Sequence, residues 1–290
     1  MDRRGQFVRS GSGDRIRPGR VRSVRVRLVG VFEGSSYDGG GPGDGAVGAV
    51  RRALFRAELL STGACEQMRT ASGGPIGDGT AAAVLFDVDG VLLDTADAHG
   101  RVWRAWARER GLDPEAVWQA TQGRRRADIL RSLAPERDPV GEHRALDRLM
   151  AAEEPGIRAF AGAAGLLRAL PPGRWAVVTS SRAGPTAARL ARTGLIVPEV
   201  RVCAEDVSEG KPSPEGCLTA AARLGVDPRR CLVVEDAPAG VAAGLAAGCT
   251  VYAVASTHSP DELRGAHGCF GSLREAAGAV LRAVGGACAR

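Results

Sequence analysis

The chain has 290 residues, 44% of them hydrophobic and 25% charged, the composition of a globular protein with enough apolar matter for one large domain or two smaller ones. No run approaches the roughly 18 consecutive apolar residues that a membrane helix requires, which excludes a helical membrane-spanning protein. The net charge of +6 would suggest nucleic acid if it were spread evenly, but residues 1–80 hold 13 Lys+Arg and 8 Asp+Glu, leaving 26 against 25 for residues 81–290.

Residues 1–80 are rich in Arg, Gly and Ser, with a Gly39–Gly43 run broken only by Pro42, and show no sustained apolar period beyond a short helix-like stretch near residues 47–60. This composition predicts a mostly disordered extension. A basic arm, a targeting peptide and translated upstream sequence with Met68 as the true start are its three readings; disorder or the last is preferred. A basic arm makes a nucleic-acid-associated protein the reading from another class. Against it, the arm lacks interleaved aromatics and residues 81–290 carry no basic surplus, so no specific nucleic-acid partner is expected. The seven cysteines, at 65, 203, 217, 231, 249, 269 and 288, form no C-x-x-C pair. They read as small buried apolar residues in a reducing, cytoplasmic compartment.

From Ala81 short apolar runs alternate with helix-like segments. The first run, Ala82–Phe86, ends in Asp87-Val88-Asp89-Gly90, and residues i and i+2 of an extended chain point the same way, so the two carboxylates can act on one group. D-x-D-G also occurs in calcium loops. Roughly ninety residues then separate this strand from Trp175, far more than a crossover needs, so something is inserted. The insert is helical: Val102, Trp103 and Trp106, then Ile129, Leu130 and Leu133, then Leu146, Leu149 and Met150 form apolar faces between charged residues. A small helical cap over the sheet is expected.

Strands are predicted at Trp175–Val178, closed by Thr179-Ser180, and at Val200–Cys203, Cys231–Val234 and Thr250–Val254. The helices between them carry Pro near their starts and stop at Gly194, Gly225 and Gly248. Gly210-Lys211-Pro212-Ser213-Pro214 holds the only lysine among 39 basic residues, and Glu235-Asp236 closes a buried strand. An acidic pair before a helix also serves as an N-cap, a role Asp236 can share. The segment from Gly271 reads as a last helix. The fold class is thus a three-layer α/β/α Rossmann-like parallel sheet with an inserted helical cap.

The four motifs, Asp87-x-Asp89-Gly90, Thr179-Ser180, Lys211-Pro212-x-Pro214 and Glu235-Asp236, resemble in content and order those of the haloacid dehalogenase (HAD) superfamily of aspartate-nucleophile phosphotransferases. The resemblance implies a core of residues 81–96 and 166–290 with a subfamily I (C1) cap over 97–165. It implies Mg²⁺ held by Asp87, the Asp89 carbonyl and Asp236, with Glu235 acting directly or through water. Asp87 would form an aspartyl phosphate, Asp89 would act as acid then base, and Lys211 and Thr179 would steady the phosphoryl oxygens with the Ser180 backbone N–H. Asp89 disfavours carbon–halogen chemistry, since a halide needs no acid.

An insert between the first and second motifs resembles the arrangement of small sugar and polyol phosphatases, with a small phosphorylated metabolite as partner and a monomer or weak homodimer as the assembly. Arg124, in the turn Thr121–Arg126, is the expected cap contact to substrate; a solvated cap corner is the alternative. His99 stands where the related β-phosphoglucomutase has a histidine, so a phosphosugar mutase is the alternative activity, although Gly100 and the following Arg-Val-Trp depart from the mutase pattern.

Overall fold

The computed structural model describes residues 80–285. The expected extension up to residue 79, the helix near residues 47–60, Met68, Cys65 and Cys288 lie outside the described residues. In chain order, the first half comprises β1 (Ala83–Phe86), β2 (Leu93–Asp94), α1 (Ala96–Glu109), α2 (Pro114–Thr121), α3 (Arg126–Leu133), α4 (Pro139–Glu153), β3 (Arg158–Ala159) and α5 (Ala163–Ala169). The second comprises β4 (Trp175–Val178), α6 (Ala183–Arg192), β5 (Arg201–Val202), α7 (Glu215–Leu224), β6 (Cys231–Glu235), α8 (Pro238–Ala246), β7 (Thr250–Val254), β8 (Gly268–Phe270) and α9 (Leu273–Ala283).

Six strands form one sheet in the order β5-β4-β1-β6-β7-β8, every neighbouring pair parallel. Its inner strands are apolar but for Glu235 at the end of β6 and Thr250 at the start of β7, because both faces are covered. Val84, Phe86, Val177 and Val234 face Leu166 and Leu167 of α5, Leu190 of α6 and Val280 of α9. Ala83, Leu85, Ala176 and Val233 face Cys217, Ala220 and Ala221 of α7 and Val241 of α8. Each fully buried leucine contributes roughly 2 kcal/mol. Cys203, Cys217, Cys231 and Cys249 are free and buried, and Cys269 is free and exposed.

Phe86 pairs in register with Val177 on one side and Val234 on the other, so β1, β4 and β6 end together. The residues that follow them therefore emerge at one edge, the carboxyl end of a parallel sheet where ligands of such folds bind.

The inserted helices α1–α4 share a core of Val102, Trp103, Trp106, Ile129, Leu130, Leu146 and Met150. Leu133 and Leu149 are only partly buried against it. Pro114 and Pro139 open α2 and α4, and Asp113 and Asp138 accept their first backbone N–H groups, which fixes where these helices begin. Trp106 Nε1 and Arg110 Nε both donate to Glu142 Oε2 at 2.6 Å, so the buried Glu142 is neutralised. The insert leaves and returns through the antiparallel pair β2–β3, Leu93 opposite Ala159, a pairing too short to leave a periodic trace in the sequence. Strand β8 was likewise not expected. No helix among the described residues is long and apolar enough to cross a membrane.

Candidate active site

Asp87 follows β1, and a tight loop then turns the chain: Leu92 and Leu93 N–H both donate to the Val88 carbonyl, with Gly90 at φ +85°. A side chain at Gly90 would meet both this left-handed conformation and the carboxylate of Asp236. Glu235 and Asp236 arrive from β6. Carboxylate oxygens of Asp87, Glu235 and Asp236 lie within 4.8 Å of one another. Lys211 Nζ donates to Asp87 Oδ1 at 2.8 Å and also to Glu235 Oε1.

Burial raises the Asp87 carboxyl most; Lys211 pulls it back, Glu235 and Asp89 push it further, and it stands at about 7. Asp236 is raised well above the carboxylate range by burial and then by Glu235 and Asp87. The Lys211 ammonium is opposed by burial, but Asp87 and Glu235 outweigh that and raise its pKa. Three acids around one lysine in a dry place are short of positive charge, which is why two of them are held above the usual carboxylate range. An all-oxygen donor set and the space kept open by Gly90 fit a hard divalent cation.

Glu235 is the more committed acid: its Oε2 accepts the backbone N–H groups of Asp236 and Ala237 at 2.8 and 3.1 Å, while Oε1 takes Lys211. The capping expected of Asp236 does not occur: the helix Pro238–Ala246 takes Ala237 as its N-cap with no side-chain cap bond, and Asp236 is instead held by the Thr257 hydroxyl. Nothing in the linear context of Thr257 marked it as part of this site.

Asp89 takes a different environment. Ser181 Oγ donates to Oδ2 at 2.6 Å, His99 Nε2 lies 4.0 Å and Arg189 Nη1 3.9 Å from Oδ1. Burial works against its ionisation, yet His99, Arg189 and Ser181 together hold the Asp89 carboxyl below the usual range. Burial in turn lowers His99, opposed by Asp89. The two acids of one loop therefore differ, Asp87 raised and Asp89 lowered.

A cavity of about 630 Å³ opens between this edge of the sheet and the inserted helices, lined by Asp87, Asp89, His99, Thr179, Ser180, Lys211 and Asp236, with Arg124 on the far wall. Of the expected site residues only Glu235 stands behind the wall. Thr179 Oγ1 accepts the Ser181 N–H at 3.1 Å. The Ser180 hydroxyl is engaged by the Gly123 carbonyl at 2.8 Å, a contact between core and cap. Arg124 is exposed; its neighbour Arg125 is buried and reaches the carbonyls of Val207 and Ser208 at 2.7 and 2.9 Å, fastening the same turn to the core. Arg189, Glu154 and Asp147 also line the cavity, and nothing in their linear context marked them.

Residues 81–248 match the family model described as haloacid dehalogenase-like hydrolase. The chain is 45% identical over 175 residues to hexitol phosphatase A of Escherichia coli K12, covering 59% of this chain and 81% of that one. It is 33% identical over 204 residues to β-phosphoglucomutase of Mycobacterium bovis, covering 57% and 77% respectively. Among solved structures, a HAD family hydrolase of Deinococcus radiodurans R1 with bound phosphate and sodium superposes with a TM-score of 0.55 at 32% identity, covering 71% of this chain and 97% of that one.

Proposed function

The chain belongs to the haloacid dehalogenase-like hydrolases and is a phosphoric monoester hydrolase; from that premise we propose that its substrate is a small sugar or polyol phosphate, cleaved with Mg²⁺ through an aspartyl phosphate on Asp87. The observation that carries this reading is the buried Asp87–Lys211 pair beside Asp236, opening with Asp89 into a cavity of about 630 Å³ beneath the inserted helices. A cavity of that size holds a six-carbon ester and too little of a macromolecule. The hexitol phosphatase relative supports the polyol class.

The Asp87 carboxylate attacks phosphorus in line, the ester P–O bond breaks, and Asp89, reacting in its protonated form, gives its proton to the leaving alkoxide. A water molecule, losing its proton to Asp89, then attacks the phosphorus and releases phosphate from Asp87. Lys211 holds Asp87 in place and, with Thr179 and the Ser180 N–H, stabilises charge on the phosphoryl oxygens. Asp87, the Asp89 carbonyl and Asp236 would hold Mg²⁺, with Glu235 acting through water because both its oxygens are already engaged. What Mg²⁺ supplies when bound is positive charge, which keeps Asp87 ionised and offsets the phosphoryl charge. The buried free thiols are in keeping with a cytoplasmic enzyme.

One observation favours a second reading: His99 shares the cavity with Asp89, where a proton relay serving a phosphosugar mutase would stand. Both are tested by following phosphate release and product isomers with sugar, polyol and nucleotide monophosphates and β-glucose 1-phosphate, with and without Mg²⁺. Magnesium-dependent release from small esters is expected. Isomerisation of glucose 1-phosphate with little free phosphate would transfer the assignment to the mutase, and silence on every ester would end both.

A further inference from the structure

Arg189 belongs to α6, in the core rather than among the inserted helices, and its guanidinium lines the cavity while only 5% exposed. Glu154 fixes it: Nε and Nη2 both lie 2.7 Å from Oε1, and Arg192 occupies the other Glu154 oxygen at 2.7 Å. Arg189 Nη1 remains, 3.9 Å from Asp89 Oδ1 and too far for a hydrogen bond. Asp89 Oδ1 is itself buried and accepts no hydrogen bond, the second carboxylate oxygen being taken by Ser181. Beside Asp89 Oδ1 stand the Arg189 guanidinium, His99 Nε2 at 4.0 Å and the Thr95 hydroxyl, itself buried and unpartnered; of these Arg189 is the fixed cation, and the gap between it and Oδ1 is costly unless something completes both.

An oxygen placed off the line joining them can lie at hydrogen-bond distance from both. It must accept from Arg189 and donate to Asp89, which, of the oxygens a phosphate ester can bring there, only a hydroxyl does; without it the place falls to a water. We propose that Arg189 reads a hydroxyl on the carbon next to the phosphoester carbon, and that the site takes open-chain polyol phosphates in preference to pyranose 6-phosphates. The inference rests on the phosphomonoesterase reading, which sets Asp89 at the ester oxygen. Oxygens on adjacent carbons are close enough for one carboxyl oxygen to serve both, its proton toward the ester oxygen and a lone pair toward the hydroxyl. In a pyranose 6-phosphate the neighbouring carbon bears the ring ether oxygen, which accepts from Arg189 but has no proton for Asp89. Where that carbon bears no oxygen, both groups are left to a water that the bound ester must hold in place.

The test compares kcat/KM for two matched pairs, glycerol 1-phosphate against 1,3-propanediol monophosphate and sorbitol 6-phosphate against glucose 6-phosphate. The wild-type enzyme is expected to prefer the first of each pair by about ten- to a hundred-fold, the range for a hydroxyl read by a charged group. In Arg189→Gln, and in the Arg189→Gln/Glu154→Gln double variant that also removes the carboxylate Arg189 would leave behind, both ratios should collapse to within about threefold. A residue that merely supports the fold would lower both esters alike and leave the ratios standing. Wild-type ratios near one, or ratios that persist in either folded variant, would overturn the inference. Release from none of the four esters would instead remove the phosphomonoesterase reading, and this inference with it.

Discussion

Lys211 Nζ stands 2.8 Å from Asp87 Oδ1 and also bonds Glu235, so the chain's one lysine ties the acid at the end of β1 to the acids at the end of β6. Lys211→Met would leave three neighbouring carboxyls with no cation among them. Turnover of a small phosphate ester should fall by roughly 10²–10³, the usual loss when one charge-stabilising group is removed. Lys211→Arg should recover little, because a planar fork cannot occupy the position of a compact ammonium. Rates within a few-fold of wild type for Lys211→Met would remove this lysine from the chemistry.

Asp87→Asn should abolish turnover while circular dichroism stays unchanged, and its effect on stability carries a pH signature. The native Asp87 carboxyl keeps its proton up to about pH 7, whereas an unfolded one releases it near 3.8. Stability therefore falls as pH rises through that window and is level above it. Asparagine carries no such cost. In a metal chelator, the melting temperature of Asp87→Asn relative to wild type should climb between about pH 4 and 7, by the equivalent of a few kcal/mol, and then flatten. Comparing the two proteins cancels His99 and the lowered acids. A gap that does not change with pH would show that Asp87 does not bear the burial cost.

Asp89→Asn separates leaving groups. An alkoxide leaves poorly without a proton, while p-nitrophenolate needs none, so the variant should lose about 10²–10⁴ in kcat on a polyol phosphate and far less on p-nitrophenyl phosphate. Equal losses on the two esters would place Asp89 in binding or metal retention rather than in proton transfer.

Much of this arrangement was legible because its signals are local. Strands β1, β4 and β6 are apolar runs that end at Asp87, Thr179 and Glu235-Asp236, and Lys211 is the one lysine of the chain. Strand β8 was not legible: three residues at the sheet edge, with Cys269 exposed, leave no period to read. Nor was the two-residue β2–β3 pair at the root of the insert. Arg189 and Ser181 were hidden for another reason. Both meet Asp89 only after the chain has passed through the insert and β4, and in a sequence that writes Arg at nearly every cationic position one arginine looks like the next. Arg124 was noticed for its turn, but the buried Arg125 beside it is the residue that joins cap to core.

Gly90 offers a test of the cation site that does not depend on turnover. At φ +85° an alanine is strained by about 1–2 kcal/mol, and its Cβ would collide with the Asp236 carboxylate at Oδ2. Mg²⁺ that binds only the native state raises the melting temperature by mass action, so wild-type protein at pH 8 should gain several degrees at saturating Mg²⁺. Asp236→Asn should lose that gain because a ligand charge is gone. Gly90→Ala should start from a lower melting temperature and show a reduced gain, since the carboxylate it displaces is the one that faces Asp87. The strain and the displacement separate in the titration: strain lowers every point alike, whereas displacement moves the Mg²⁺ midpoint to higher concentration. A Gly90→Ala curve that is lowered throughout but keeps the wild-type midpoint would mean that Asp236 does not hold the ion.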